Sequence, residues 1–468
     1  MLNLFLNLPP KSVGFLESRH KKCKFVSDGQ KRMKRTAYND LLAWKGNKFH
    51  KPLLVYGARR TGKTYLVKEF GKTEYEKVIY FNFELNPDYK PLFSGEPEAG
   101  RLLREISSLS RVDVTPGNTL LIWDEIQFCP EALDVLPDFV ESVVGFDIVV
   151  CGFPAASPKA EAKIDELSRT GSIERLRIYP FSFDEFLSAV GKENMACLLR
   201  SRDWGAIGSL LPKFNLQLKD YLFCGGMPQA VAAFAEGLLP SAVRAVQKDL
   251  LTAADNDILR FAPKRHIDEI TAIWHMSLGQ LLDDNQKFNL SRLRDGARLK
   301  DYESSLDWLV RAGLVYKVHK LGTISMPIEF YQDKKSFKLY PFDPGLAAAL
   351  EDIDPARMLV GEEVFEGFNL SFLQILAMGQ FALRGDPVCY YGVQGSTVSI
   401  DFVVQEPSRI IPVEVMPRQN GNSKALKLFV SNNPGRKGIR ASLDNHFDRE
   451  WMDNVPVYAL SHFLAGLV

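Results

Sequence analysis

Runs of consecutive apolar residues recur along the first 180 positions: LLVYG at 53–57, KVIYFNFE at 77–84, TLLIWDE at 119–125, DIVVCG at 147–152 and RLRIYPF at 175–181. Each is too short for a helix and is bounded by turn formers, so each reads as a buried strand. Helical spacing fills the gaps, from Tyr38–Lys45 onward. Such alternation predicts an α/β doubly wound parallel sheet with helices on both faces. The pattern then changes. Leu216–Glu236 is helical on both sides of Gly225-Gly226-Met227-Pro228, and 237–320 reads as helical. Within it, 290–318 has the outline of a winged helix: helix, turn, second helix, apolar strand. Beyond Phe337 the pattern is α+β, with a helix over Glu362–Gln380 and strands at 388–393, 398–405 and 409–415.

The stretch KPLLVYGARRTGKTYLVKEF, 51–70, joins the first strand to a glycine-bounded turn and a helix. Gly57 to Thr64 fits G-x-x-x-x-G-K-[ST] at every fixed position. In that arrangement Gly57, Ala58, Arg59, Arg60, Thr61 and Gly62 curl their backbone N–H groups around phosphate oxygens, and the helix from Lys63 and Tyr65 adds the positive end of its dipole. Lys63 is expected to reach β- and γ-phosphates, and Thr64 to give its hydroxyl to a Mg²⁺ bridging them. The third strand ends in Asp124-Glu125. Asp124 is expected to hold the metal's water shell, and Glu125 to orient or deprotonate the water attacking the γ-phosphate. The strand at 147–152 is followed by Phe153 with no Ser, Thr or Asn at its end, so a γ-phosphate sensor is lost there or moves to Ser157.

Composition narrows the setting. A chain of 468 residues predicts about three domains. A formal net charge of +1 excludes a globally basic nucleic-acid binder but not local patches, such as 17–36 or the cluster Arg292, Arg294, Arg298 and Lys300. Six scattered cysteines without a C-x-x-C pair read as reduced thiols. The apolar start lacks a basic n-region, and no run approaches the length of a membrane helix, so no membrane association and a cytoplasmic location are expected. Asp401 and Glu414 on neighbouring strands, with Glu366 on the preceding helix, form a tentative second metal site.

Eight stretches in order, KPLLVYGARRTGKT, LLIWDEIQ, RLRIYPFSFDEFL, YLFCGGMPQAV, FKLYPFDPGL, SIDFVV, IIPVEV and NVPVYAL, make the chain from about Lys34 resemble prokaryotic AAA-type ATPases whose C-terminal domain is similar to the PD-(D/E)XK nuclease fold. The resemblance implies ATP binding and hydrolysis by the first two stretches, and nucleotide contact by Pro228 of the GGMP turn. Three departures accompany it. Met416 stands where nuclease-like members have the lysine of Glu-x-Lys, which a thioether cannot replace as a water activator; Lys424 is the nearest substitute. Ser399 replaces a further acid. Gly171-Ser172 replaces Gly-Arg, leaving Arg169 or Arg175 as the nearest candidates for an arginine finger.

The organisation expected is a basic arm over 1–36, an ATPase core over 37–190, a helical lid with the winged-helix-like segment over 191–330, and a nuclease-like, catalytically degenerate domain over 331–468. The function expected is an ATP- and Mg²⁺-dependent molecular switch coupled to a C-terminal recognition domain. Nucleic acid or a protein is the expected partner, through 291–320 or the C-terminal domain, with a homo-oligomer left open. An ATP-regulated metal-dependent nuclease and a non-hydrolysing ATP-binding scaffold stand as alternatives.

Overall fold

The computed structural model describes residues 35–143, 145–283, 286–359, 369–392, 399–417 and 423–467. The basic arm as far as residue 34, and Glu366, lie outside the described residues. The described chain divides into two compact units, Arg35–Ile178 and Tyr179–Val468.

Five strands build the first unit: β1 Leu53–Tyr56, β2 Lys77–Asn82, β3 Thr119–Asp124, β4 Asp147–Gly152 and β5 Glu174–Arg177. The first four coincide with apolar runs at 53–57, 77–84, 119–125 and 147–152; β5, ERLR, takes in only the start of the run at 175–181. Their order is β2-β3-β4-β1-β5, and every pairing is parallel. Successive strand residues face opposite sides, and here both sides are covered. Leu54, Leu121, Trp123, Ile148 and Val150 belong to one core, with Leu102 and Ile106 of the helix Ala99–Ser110 and Ile164 and Leu167 of Pro158–Arg169. Leu53, Val55, Leu120, Ile122 and Val149 belong to the other, under Leu66, Val67 and Phe70 of the helix Lys63–Glu74 and Leu41 and Trp44 of Ala37–Gly46. β1, β3 and β4 are buried almost throughout because neither face meets water, whereas the edge strand β5, ERLR, is charged and partly exposed. Parallel pairing also sends every strand's C-terminal end to one edge, where ligands bind in open α/β sheets.

The second unit carries helices Leu211–Cys224, Pro228–Ala235, Pro240–Phe261, Ile267–Leu281 and Leu299–Ala312, among others, and one mixed sheet. Its strands are β6 Val315–Leu321, β7 Gln332–Pro341, β8 Val388–Gly392, β9 Ser399–Gln405, β10 Ile410–Val415, β11 Gly438–Ser442, β12 Phe447–Arg449 and β13 Met452–Pro456. The order is β12-β13-β11-β10-β9-β8-β6-β7. The antiparallel hairpin β6–β7 thus belongs to the same sheet as the C-terminal strands, with β6 pairing parallel to β8. Tertiary pairing therefore runs across residue 330, where local pattern changes character. The GGMP turn is pinned within this unit. Asp343, fully buried, accepts the Gly226 N–H at 2.6 Å and caps the next helix through the Leu346 N–H at 2.8 Å. A Cβ on Gly225 would lie 2.2 Å from the Asp343 carboxylate, so only glycine fits there.

Candidate nucleotide site

The loop between β1 and the helix Lys63–Glu74 turns through positive φ at Gly57, Arg60 and Gly62. At Gly57 a Cβ would stand 2.2 Å from the Ile178 carbonyl oxygen, so the bare backbone is what lets the loop start against the end of β5. Thr61 is fully buried and its hydroxyl donates to the Ala58 carbonyl at 2.9 Å, holding the turn from inside. Arg35 Nη1 donates to the Thr61 carbonyl at 3.0 Å. Lys63 folds back along the loop, donating to the carbonyls of Gly57 at 3.1 Å and Ala58 at 2.8 Å. Burial pulls its ammonium pKa down to about 8, against the upward influence of Glu125 and Asp124. A phosphate would offset that desolvation. Tyr65 points outward, 53% exposed.

Strand order brings the end of β3 to this loop. Thr64 Oγ1 donates to Asp124 Oδ2 at 2.9 Å across 60 residues of sequence. Tyr80, on the neighbouring β2, donates its hydroxyl to the same oxygen at 2.7 Å, and Asn82 Nδ2 donates to the Tyr80 hydroxyl at 3.0 Å. Lys68 lies over the Tyr80 ring, 3.6 Å from its centroid. Burial, then the charge on Asp124, pushes the Tyr80 phenol well above its ordinary value, so it stays a donor. Hydroxyl and carboxylate oxygens gathered in this way are the hard ligands Mg²⁺ takes, so the donor set fits that ion.

Glu125 sits in the left-handed region at φ 57, a strained conformation for a residue with a Cβ. Its Oε2 accepts Arg59 Nη1 at 3.3 Å and a short bond from Gln127 Nε2. Arg59 Nη2 also reaches Glu84 Oε2 at 3.5 Å. Burial raises the Glu125 pKa, with Arg59 the strongest influence holding it down. Gln127 spans to the end of β4, where its Oε1 accepts the Phe153 N–H at 3.1 Å. A Cβ on Gly152 would meet Ile126 Cγ2 at 2.6 Å, so the close approach of the two strand ends needs glycine. Ser157 is occupied as a helix cap, accepting the Ala160 N–H at 3.2 Å. Gln127, Tyr80, Asn82 and Glu84 were not singled out by sequence reasoning. The usable signal was position: Tyr80 and Asn82 are polar interruptions in the KVIYFNFE run, and Gln127 follows the acidic pair by two residues.

Outside this cluster, Pro228 is the first residue of its helix in the second unit. Arg175 pairs with Asp165 at 2.8 Å. Asp401 spends both oxygens on protein donors, Val415 N at 2.8 Å and Gln374 Nε2 at 2.8 Å. Glu414 Oε2 is buried. Among the described residues no three His, Cys, Asp or Glu side chains gather as a metal group. Lys424 is exposed. Arg292 pairs with Asp283 at 2.6 Å, and Arg298 and Arg294 lie 3.5 and 3.9 Å from Asp301. Among the described residues no helix is long and apolar enough to cross a membrane.

Residues 215–357 match a domain of unknown function, and no curated protein matches the chain. Among solved structures, the Walker-type ATPase of Pyrococcus abyssi is 15% identical, with 67% of this chain and 94% of that chain covered at a TM-score of 0.42. The ORC2 protein of Aeropyrum pernix, in ADPNP–ADP complexes, is 14% identical, with 71% and 97% covered at 0.37. The ORC1 protein of the same organism, in complex with DNA, is 12% identical, with 68% and 90% covered at 0.29. Residues 49–187, the stretch that holds all five parallel strands and the glycine-bounded loop, match the AAA domain family.

Proposed function

We propose that the protein binds ATP with Mg²⁺ and hydrolyses it, working as an AAA-type molecular switch whose nucleotide state is passed to a C-terminal recognition region. The observation that carries this reading is the meeting of Thr64 and Asp124 at 2.9 Å beside Lys63, from elements 60 residues apart. Loop N–H groups and Lys63 bind the phosphates. Thr64 and Asp124 would hold Mg²⁺, Tyr80 fixes the Asp124 carboxylate, and Glu125 accepts the proton of the attacking water. Bound Mg²⁺ would neutralise charge on the β- and γ-phosphates.

The partner is nucleic acid or a protein, engaged through the winged-helix-like segment or the C-terminal domain. The succession of helix Leu299–Ala312 and hairpin β6–β7 supports a winged-helix reading, and exposed Lys300, Lys334 and Lys335 supply cations to it. The C-terminal strands are read as a nuclease-like domain without nuclease chemistry, because Met416 follows β10 and both Asp401 oxygens are engaged within the protein.

Calorimetry with ATP and Mg²⁺ tests the reading. Wild type should bind, and Lys63→Ala should show no heat. Glu125→Gln should keep ATP bound while turnover falls by roughly 10²-fold or more. Absence of binding by the wild type refutes the proposal.

A further inference from the structure

We propose that Arg59 is a γ-phosphate-sensing positioning residue: it holds Glu125 until the terminal phosphate draws its guanidinium away. The inference rests on the reading of Gly57–Thr64 as an ATP site. Arg59 is the third residue of the loop, on the segment that wraps the phosphates. Its guanidinium bridges two carboxylates, Glu125 Oε2 at 3.3 Å and Glu84 Oε2 at 3.5 Å. All three side chains are sheltered, at 18%, 22% and 23% exposure, so the pairs are not the screened surface contacts that contribute little.

Glu125 Oε2 is therefore taken by two donors, Arg59 and Gln127. The two donors fix how the carboxylate is turned, and the tie to Arg59 restrains it from turning toward a water. The loop also fixes which competitor can free it. A γ-phosphate entering beside Lys63 and Thr64 brings more negative charge than one carboxylate and an oxygen pair matching the guanidinium fork. ADP lacks that group and leaves the Arg59–Glu125 pair in place. ATP exchanges it for an Arg59–phosphate pair, which releases the base and supplies a cation to the transferring phosphoryl group in one movement. Gln127 remains on Glu125 and keeps it tied to the end of β4 through Phe153.

The test compares affinities of ADP and a non-hydrolysable ATP analogue, each with Mg²⁺, in wild type, Arg59→Ala, Arg59→Lys and Glu84→Gln. Arg59→Ala should weaken the ATP analogue roughly ten- to hundredfold, the value of a charge-assisted contact, with ADP unchanged within about twofold. Arg59→Lys should restore part of the discrimination. Glu84→Gln, which removes one competing carboxylate, should tighten the ATP analogue alone. Unchanged ADP binding also reports that each variant is folded. An equal loss for both nucleotides in Arg59→Ala, or no loss for the ATP analogue, overturns the inference while leaving the ATP site intact. Wild type that binds neither nucleotide overturns the underlying reading and this inference with it.

Discussion

Tyr80→Phe deletes one oxygen and leaves the shape of the strand unaltered, which makes it a clean probe of the acidic end of β3. Asp124 is 2% exposed, and its carboxylate is held by the Tyr80 hydroxyl at 2.7 Å, the Thr64 hydroxyl at 2.9 Å and the Glu125 N–H at 3.0 Å. A hydrogen bond to a buried charge contributes about 1.5–3 kcal/mol net, and the Asn82 amide, also buried, loses its acceptor for about 1 kcal/mol more. The expected loss is about 2.5–4 kcal/mol, or on the order of 5–15 °C in the melting of a unit of this size. Hydrogen exchange of the β3 amides along a denaturant series, without nucleotide or metal, reads the first unit alone. A double-mutant cycle with Asp124→Asn should then show coupling of at least about 1 kcal/mol. Additive single changes, or a loss under about 0.5 kcal/mol for Tyr80→Phe, would refute the claim that this phenol fixes the carboxylate.

Two further outcomes follow from other groups. The hydrogen bond to Asp147 at 2.6 Å raises the His50 pKa above its ordinary 6.5, so its contribution is fully present below that value and is lost as pH rises through the folded-state pKa; the stability gap between wild type and His50→Gln, from denaturant midpoints, should be larger near pH 5.5 than near pH 9. Asp343→Ala strands the Gly226 and Leu346 N–H groups in a buried site, at about 1–3 kcal/mol each; thermal unfolding should show this loss, and Asp343→Asn should recover at most one of the two bonds, because its amide nitrogen would face an N–H donor.

Much of the first unit is legible in the sequence. A strand buried on both faces must be apolar throughout, so LLVY, TLLIWD and DIVVCG announce themselves, and the fixed residues of the loop specify a backbone path that needs no distant partner. C-terminal strands at 388–392, 399–405 and 410–415 are readable as short runs rich in β-branched and aromatic residues. Neighbours were not readable. Apolar runs carry no label saying that β3 lies between β2 and β4, and that order alone places Tyr80 on Asp124, Arg59 on Glu125 and Gln127 under Phe153. Likewise the hairpin β6–β7 follows a helical stretch in the chain but joins the C-terminal sheet through β8, a pairing made of backbone hydrogen bonds that any side-chain sequence can form. The chain by itself determined which segments are strands and where the glycine-bounded G-x-x-x-x-G-K-T turn lies; tertiary packing decided that Tyr80 and Arg59 confront the acidic pair there, because contacts across 44 and 66 residues depend on strand order, which local pattern does not encode.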